Sequence, residues 1–365
     1  MDYEFRYTYT EIGMRDSTAQ HRYRVLNPDN LQFGNRPIII GISGNGATKN
    51  KDANGFTKII QTYLDLMFKT KDGKNALDYV DIMGIKYASR SEQGGNGYIT
   101  KNFANQLTDA MIKLLTDQNG KLLSLDQACQ NFSRLTFFTY CQGNFSLNDI
   151  IDLLNEKLLD LGYTTDEITA INNASMEVSF AALNPVDNII PSVRILSIND
   201  PVVFSDLDYL VATDPKIKNL NGIALHQDQP GYLYGKPRAG ATAPSIQIIS
   251  SNLLNAYSGF HVVYNDHNIN CLSFNQDWKL KPCEIHGKNL VSLNAQCAAE
   301  LMALSLCAAV QHSLDNLTAP SYQPNRHWHQ LPAELQYNID SYAPVKLAFP
   351  TTNFTGLKRQ NTKEK

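Results

Sequence analysis

Residues 3–10 alternate aromatic and polar side chains with a period of two, which predicts a half-buried strand near a sheet edge. Residues 37–42, Pro-Ile-Ile-Ile-Gly-Ile, form a continuous, largely β-branched run of the kind buried on both faces of a sheet. After a polar stretch, Phe56, Ile59, Ile60, Tyr63, Leu64 and Met67 recur at the i, i+3, i+4 spacing of an amphipathic helix, with Gly73 as its stop. The period then switches back to a strand over 79–87. Beyond a glycine-rich loop at Gly94 to Gly97, Phe103, Leu107, Met111 and Leu114 mark the next helix. Ser124 with Gln127 caps a short helix. Residues 134–140 read as a strand, and Leu147, Ile150, Ile151, Leu154 and Leu158 line one face of a helix closed by Gly162. Further strands are predicted over 176–183, 193–198 and 260–264, and an apolar helix over 294–314. Residues 231–244 form a loop rich in glycine and proline.

Alternation of strand and helix through the first half implies right-handed crossovers, hence an α/β fold with a mostly parallel sheet covered by helices on both faces. The strands over 37–42, 79–87 and 134–140 are expected to be parallel neighbours, because their connections are long enough to hold crossover helices. A chain of 365 residues suits one elaborated domain, 1–357, followed by a flexible polar tail, 358–365.

Charge narrows the partners. The net charge of -3 comes from 32 basic and 35 acidic residues with no long block of either sign, which argues against nucleic acid and leaves a small-molecule or lipid substrate. The run over 295–310 is interrupted by Gln296, Glu300 and Ser305, so it reads as a buried helix and no transmembrane segment is expected. The first residues, Met1-Asp2-Tyr3-Glu4-Phe5-Arg6, lack the basic-then-apolar pattern of a signal peptide. Cys129, Cys141, Cys271, Cys283, Cys297 and Cys307 show no CxxC pair and no histidine spacing suited to zinc. Free thiols, no metal, no cofactor and a cytoplasmic location follow as expectations, with delivery by a specialised secretion system as the alternative.

The segment richest in chemistry is Thr139-Tyr140-Cys141-Gln142-Gly143, where a strand runs directly into an amphipathic helix. That is the setting of a nucleophile elbow, GxSxG, in which a strained turn lifts the central side chain above the sheet. Gly143 meets the need for a small flanking residue well and Thr139 meets it imperfectly, while the helix N-terminus behind Cys141 favours a thiolate by its dipole. The competing reading is a buried core cysteine. Asp200, ending the predicted strand over 193–198 and preceding Pro201, fits an acid that orients a base, or an aspartate that opens a turn. His267, in the polar loop after the strand over 260–264, completes the order nucleophile, acid, base. His286 is the reserve base, with His226 and His261 behind it. Backbone N–H groups near Gly44 and Asn45 and that of Gln142 are the expected oxyanion donors.

These segments resemble the bacterial type VI secretion phospholipase effectors and their α/β-hydrolase relatives. Pro37-Ile-Ile-Ile-Gly-Ile-Ser43-Gly-Asn-Gly-Ala47 is similar to a strand leading into Asp-Gly-Thr-Gly-Asn. Thr139-Tyr-Cys141-Gln-Gly-Asn144 is similar to Gly-Phe-Ser-Arg-Gly-Ala, and Asn199-Asp200-Pro201-Val202 to a strand ending Asp-Thr-Val. His267-Asn-Ile-Asn takes the place of a His-Ser-Asp-Val-Gly-Gly segment. The resemblance spans roughly residues 36–271 and implies an α/β-hydrolase acting on acyl esters through Cys141, Asp200 and His267. Ser43 stands for the family's Asp, Cys141 for its Ser and Gln142 for its Arg, and the glycines after the histidine are missing.

Two rival readings stand beside this one. Gly41-Ile-Ser-Gly-Asn-Gly46-Ala47-Thr48 nearly spells a P-loop and suggests phosphoryl transfer or nucleotide binding, but Ala47 replaces the lysine that neutralises phosphate, and the helix starts late, near Asn54. A non-catalytic binding module on a hydrolase scaffold is the other, since a fold does not fix a function. Ester, lipid, thioester and peptide substrates all remain open, as does the oligomeric state.

Overall fold

A computed structural model describes residues 10–44, 53–67, 76–87, 101–141, 143–180, 182, 189–197, 223–228, 232–233, 236–237, 243–250 and 290–342. The described strands are β1 (Thr10–Asp16), β2 (Arg22–Leu26), β3 (Ile38–Ile42), β4 (Asp81–Tyr87), β5 (Leu135–Tyr140), β6 (Met176–Phe180), β7 (Ser192–Ser197), β8 (Ile223–Asp228), β9 (Tyr232–Leu233), β10 (Lys236–Pro237) and β11 (Ser245–Ser250). The helices are α1 (Ala53–Met67), α2 (Lys101–Leu115), α3 (Leu125–Phe132), α4 (Gly143–Leu161), α5 (Thr165–Asn173), α6 (Leu290–Leu317) and α7 (Arg326–Tyr342).

Nine strands form one sheet in the order β2-β1-β4-β3-β5-β6-β7-β11-β8, and β9 with β10 makes a separate pair. From β4 through β11 all neighbours are parallel. The antiparallel pairings lie at the two sides, β1 with β2 and β4, and β8 with β11. The expected α/β architecture with a mostly parallel sheet is therefore present, and the segments at 37–42, 79–87 and 134–140 are the adjacent parallel strands β3, β4 and β5.

Both faces of this sheet are covered because its central strands are apolar on both sides. On one face Ile38, Ile40, Ile42, Leu135 and Phe137 pack with the apolar sides of α2, α3, α4 and α5. Phe138, one residue along from Phe137, points the other way and meets Phe56 and Tyr63 of α1, ring centroids 5.4 and 5.8 Å away. Gly41 lets α1 approach, since a Cβ there would lie 2.5 Å from the Ile60 side chain. The long helix α6 packs beside α1 against β5, β6 and β7. No helix among the described residues is long and apolar enough to cross a membrane.

Local signals end the helices where expected. Ser124 caps α3, its hydroxyl accepting from the Gln127 N–H, and Gly162 ends α4 at φ 108°, its N–H bonded to Leu158 O. Two expectations are corrected, for Arg134 and for the loop at 231–244, and others fall outside the described residues. The first described strand is Thr10–Asp16, beyond the segment 3–10, which apart from Thr10 lies outside the described residues. Arg134 stands in the turn before β5, its guanidinium donating to Asn131 O and Gly34 O. The glycine- and proline-rich stretch at 231–244 contains the short strands β9 and β10. Gly73, the strand predicted over 260–264 and the tail at 358–365 lie outside the described residues.

Candidate functional site

Parallel strands of an open sheet end on one edge, and ligands bind there where neighbouring strands send their chains to opposite faces. That condition is met between β3 and β5. The chain leaving β3 continues to α1 on one face, and the chain leaving β5 enters α4 on the other. Ser43 and Gly44 extend from β3, and Cys141 extends from β5 beside them.

Cys141 adopts φ 54°, the left-handed region. This conformation costs a non-glycine residue roughly 1–3 kcal/mol and persists only where its surroundings hold it. Among the described residues the only other non-glycine positions of this kind are Gln20 and His21, between β1 and β2. The Cys141 N–H donates to Phe180 O at 3.0 Å, one rung beyond the β5–β6 ladder, and Cys141 O accepts from the Asn144 N–H at 3.4 Å. The turn is crowded on both sides. A Cβ at Gly44 would lie 2.6 Å from the Cys141 Cβ and 2.9 Å from Tyr140 O, and one at Gly143 would lie 2.3 Å from Ile42 O. Only glycine lets β3, the elbow and the start of α4 come this close. Cys141 is itself 7% exposed.

The imperfect flank, Thr139, is fully buried and finds a polar partner. Its hydroxyl donates to Glu177 Oε1 at 2.6 Å and lies 2.7 Å from the Ser179 hydroxyl, both on the adjacent strand β6. Asn144, the second residue of α4, donates from Nδ2 to the same Glu177 Oε1 at 3.1 Å. The other carboxylate oxygen, Oε2, meets Arg194 Nη2 of β7 at 3.4 Å, with the two side chains 1% and 0% exposed. Burial pulls the Arg194 pKa down and the neighbouring Glu177 charge opposes that shift. An ion pair this deep gives little net stability, while removing one partner costs about 3–5 kcal/mol because the other is left uncompensated.

Sequence reasoning placed strands over Glu177 and Arg194 but gave their charges no role. A lone charge inside a strand buried on both faces, as in Met-Glu-Val-Ser-Phe and Ser-Val-Arg-Ile-Leu-Ser, must be paired, and that was the available signal.

Of the residues expected to act together, Gly44 and Cys141 are adjacent in space. Asn45, Gln142, Asp200, His267, His261 and His286 lie outside the described residues, although Asp200 follows the end of β7 by only three residues of chain. His226 is corrected as a candidate base. It lies within β8, opposite Gln247 of β11, and β8 is four strand spacings from β5, about 19 Å at the usual interstrand distance. No group of three histidine, cysteine or acidic residues suited to a metal occurs among the described residues. The chain matches no protein-family model and no curated protein.

Proposed function

We propose that the protein is an acyl-ester hydrolase of the α/β-hydrolase type, with Cys141 as nucleophile, His267 as general base and Asp200 as the acid that orients it. The observation that carries this reading is the left-handed Cys141 between a central parallel strand and a helix, hemmed in by Gly44 and Gly143. A strained strand-to-helix turn of this kind is how such enzymes present a nucleophile, with oxyanion donors from the residue after it and from the loop after the third strand. Gln142 and the Gly44–Asn45 segment occupy those positions in the chain. Asp200 and His267 are assigned from residue type and chain order.

In the reaction His267 takes the thiol proton as the Cys141 sulfur bonds to the acyl carbon. The C–O bond to the alcohol then breaks, and His267 returns the proton to the leaving oxygen. Water, deprotonated by the same imidazole, attacks the thioester, releasing the acid and restoring the thiol. We assign a lipid or small ester as substrate, on the resemblance of the Ser43 and Cys141 segments to acyl-ester hydrolases. Cys141→Ala and His267→Ala should each lower the hydrolysis of short acyl esters by about 10³-fold or more with folding retained, since triad members act as a unit. Wild-type rates in the Cys141→Ala protein would refute the assignment.

The low exposure of Cys141 favours a second reading, a binding module that keeps the scaffold without the chemistry. Absence of ester turnover together with an unreactive Cys141 would select it.

A further inference from the structure

The conformation of Cys141 is imposed by its neighbours, and both of its flanks are held by a single oxygen. Two residues before it, Thr139 donates to Glu177 Oε1; three residues after it, Asn144 donates to the same atom. One bond fixes the end of β5 and the other fixes the start of α4, so Glu177 ties together the two elements between which the left-handed residue is held. Arg194 meets the other carboxylate oxygen from β7. The two side chains are buried within the sheet, where an apolar pair of similar volume would serve stability equally well. A charge pair retained there, with its hydrogen bonds directed at the two ends of one strained turn, is explained by the geometry it enforces.

We propose that Glu177 is the positioning residue of the elbow: its Oε1 clamps Thr139 and Asn144 so that Cys141 stays left-handed with its sulfur presented to the site, and Arg194 anchors the clamp. The catalytic meaning of this rests on Cys141 being the nucleophile. The clamp itself does not, and it can be tested on the thiol alone.

The test compares two paired variants in the full-length protein. Glu177→Leu with Arg194→Met removes the clamp without stranding a charge. Glu177→Gln with Arg194→Met removes the same charges but keeps an acceptor at Oε1. The readouts are the iodoacetamide alkylation rate of Cys141 from about pH 6 to about pH 9, followed by peptide mass spectrometry, kcat and KM for a short acyl ester, and urea unfolding. The Leu/Met pair should shift the alkylation profile and lower kcat by about tenfold or more, with KM changed by no more than about threefold, and the Gln/Met pair should recover most of both. An unchanged alkylation profile in a folded Leu/Met protein, or no recovery in a folded Gln/Met protein, overturns the clamp. If either pair fails to fold, Thr139→Val and Asn144→Ala each delete one clamp bond without touching a charge. Both should then shift the profile, and two unshifted profiles overturn the proposal. A wild-type protein without esterase activity would defeat the hydrolase reading and leave the alkylation result to decide the clamp.

Discussion

Cysteine has no preference of its own for φ 54°, so the residues around Cys141 must supply the constraint. Gly143 supplies much of it by letting the first residue of α4 sit against Ile42 O, where a methyl group would come within 2.3 Å of a backbone oxygen that cannot move aside without disturbing β3. Gly143→Ala is therefore expected to cost on the order of 1–3 kcal/mol in urea unfolding, as overpacking does elsewhere, and to change Cys141 reactivity at the same time. An alanine at this position with unaltered stability would mean that the approach of α4 to β3 is looser than described. The thiols differ in the same local way. Burial raises the Cys129 thiol to about 11 and the Cys307 thiol well beyond the ordinary range, with nearby Asp126 and Glu334 adding to the respective shifts. Both make inert internal controls at neutral pH for any reagent aimed at Cys141.

Among the elements, α6 carries a second testable feature, at the opposite edge of the sheet from Cys141. His312 Nε2 donates to Ala174 O, just ahead of β6, and Nδ1 accepts from the Asn316 amide, each at 3.1 Å, so the ring is held neutral. Burial is the main cause that drives its pKa down to about 4, against an ordinary value of 6.5. As the pH falls, the unfolded chain takes up this proton first. The stabilisation from the neutral ring is complete above about pH 6.5, is lost progressively down to about pH 4, and changes no further below that, a loss of roughly 3 kcal/mol at most. Unfolding free energies measured across this range should fall with pH in the wild type and show about one proton less dependence in His312→Gln. Equal slopes would remove His312 from the account. Element boundaries also show which local signals suffice. The pairing of Ser124 with Gln127 marks the start of α3, whereas Pro332 inside α7 argues against the helix that tertiary packing nonetheless forms.

At the scale of the molecule, β3 to β7 and the helices α1 to α4 were legible because their residues are buried on two faces or along one stripe, and periodicity reports burial, whereas α5 was not predicted. The antiparallel additions were not legible either. In β1, Arg15 is buried by Thr57, Asn54 and His21 O, and Gly13 lies under the Tyr23 ring, so the pattern that justifies the strand exists only once distant segments have met. The site divides along the same line. The Cys141 turn is written in contiguous residues, while the clamp joins Thr139, Asn144, Glu177 and Arg194 from four elements. The central claim is that this turn carries a nucleophile, and its most direct test is to react the protein with an activated acyl ester, quench in acid and map the adduct among the six cysteines. The account predicts one acyl group on the Cys141 peptide, released by hydroxylamine as a thioester, with Cys129 and Cys307 unmodified. An unmodified Cys141, or acylation spread equally over the cysteines, would contradict it.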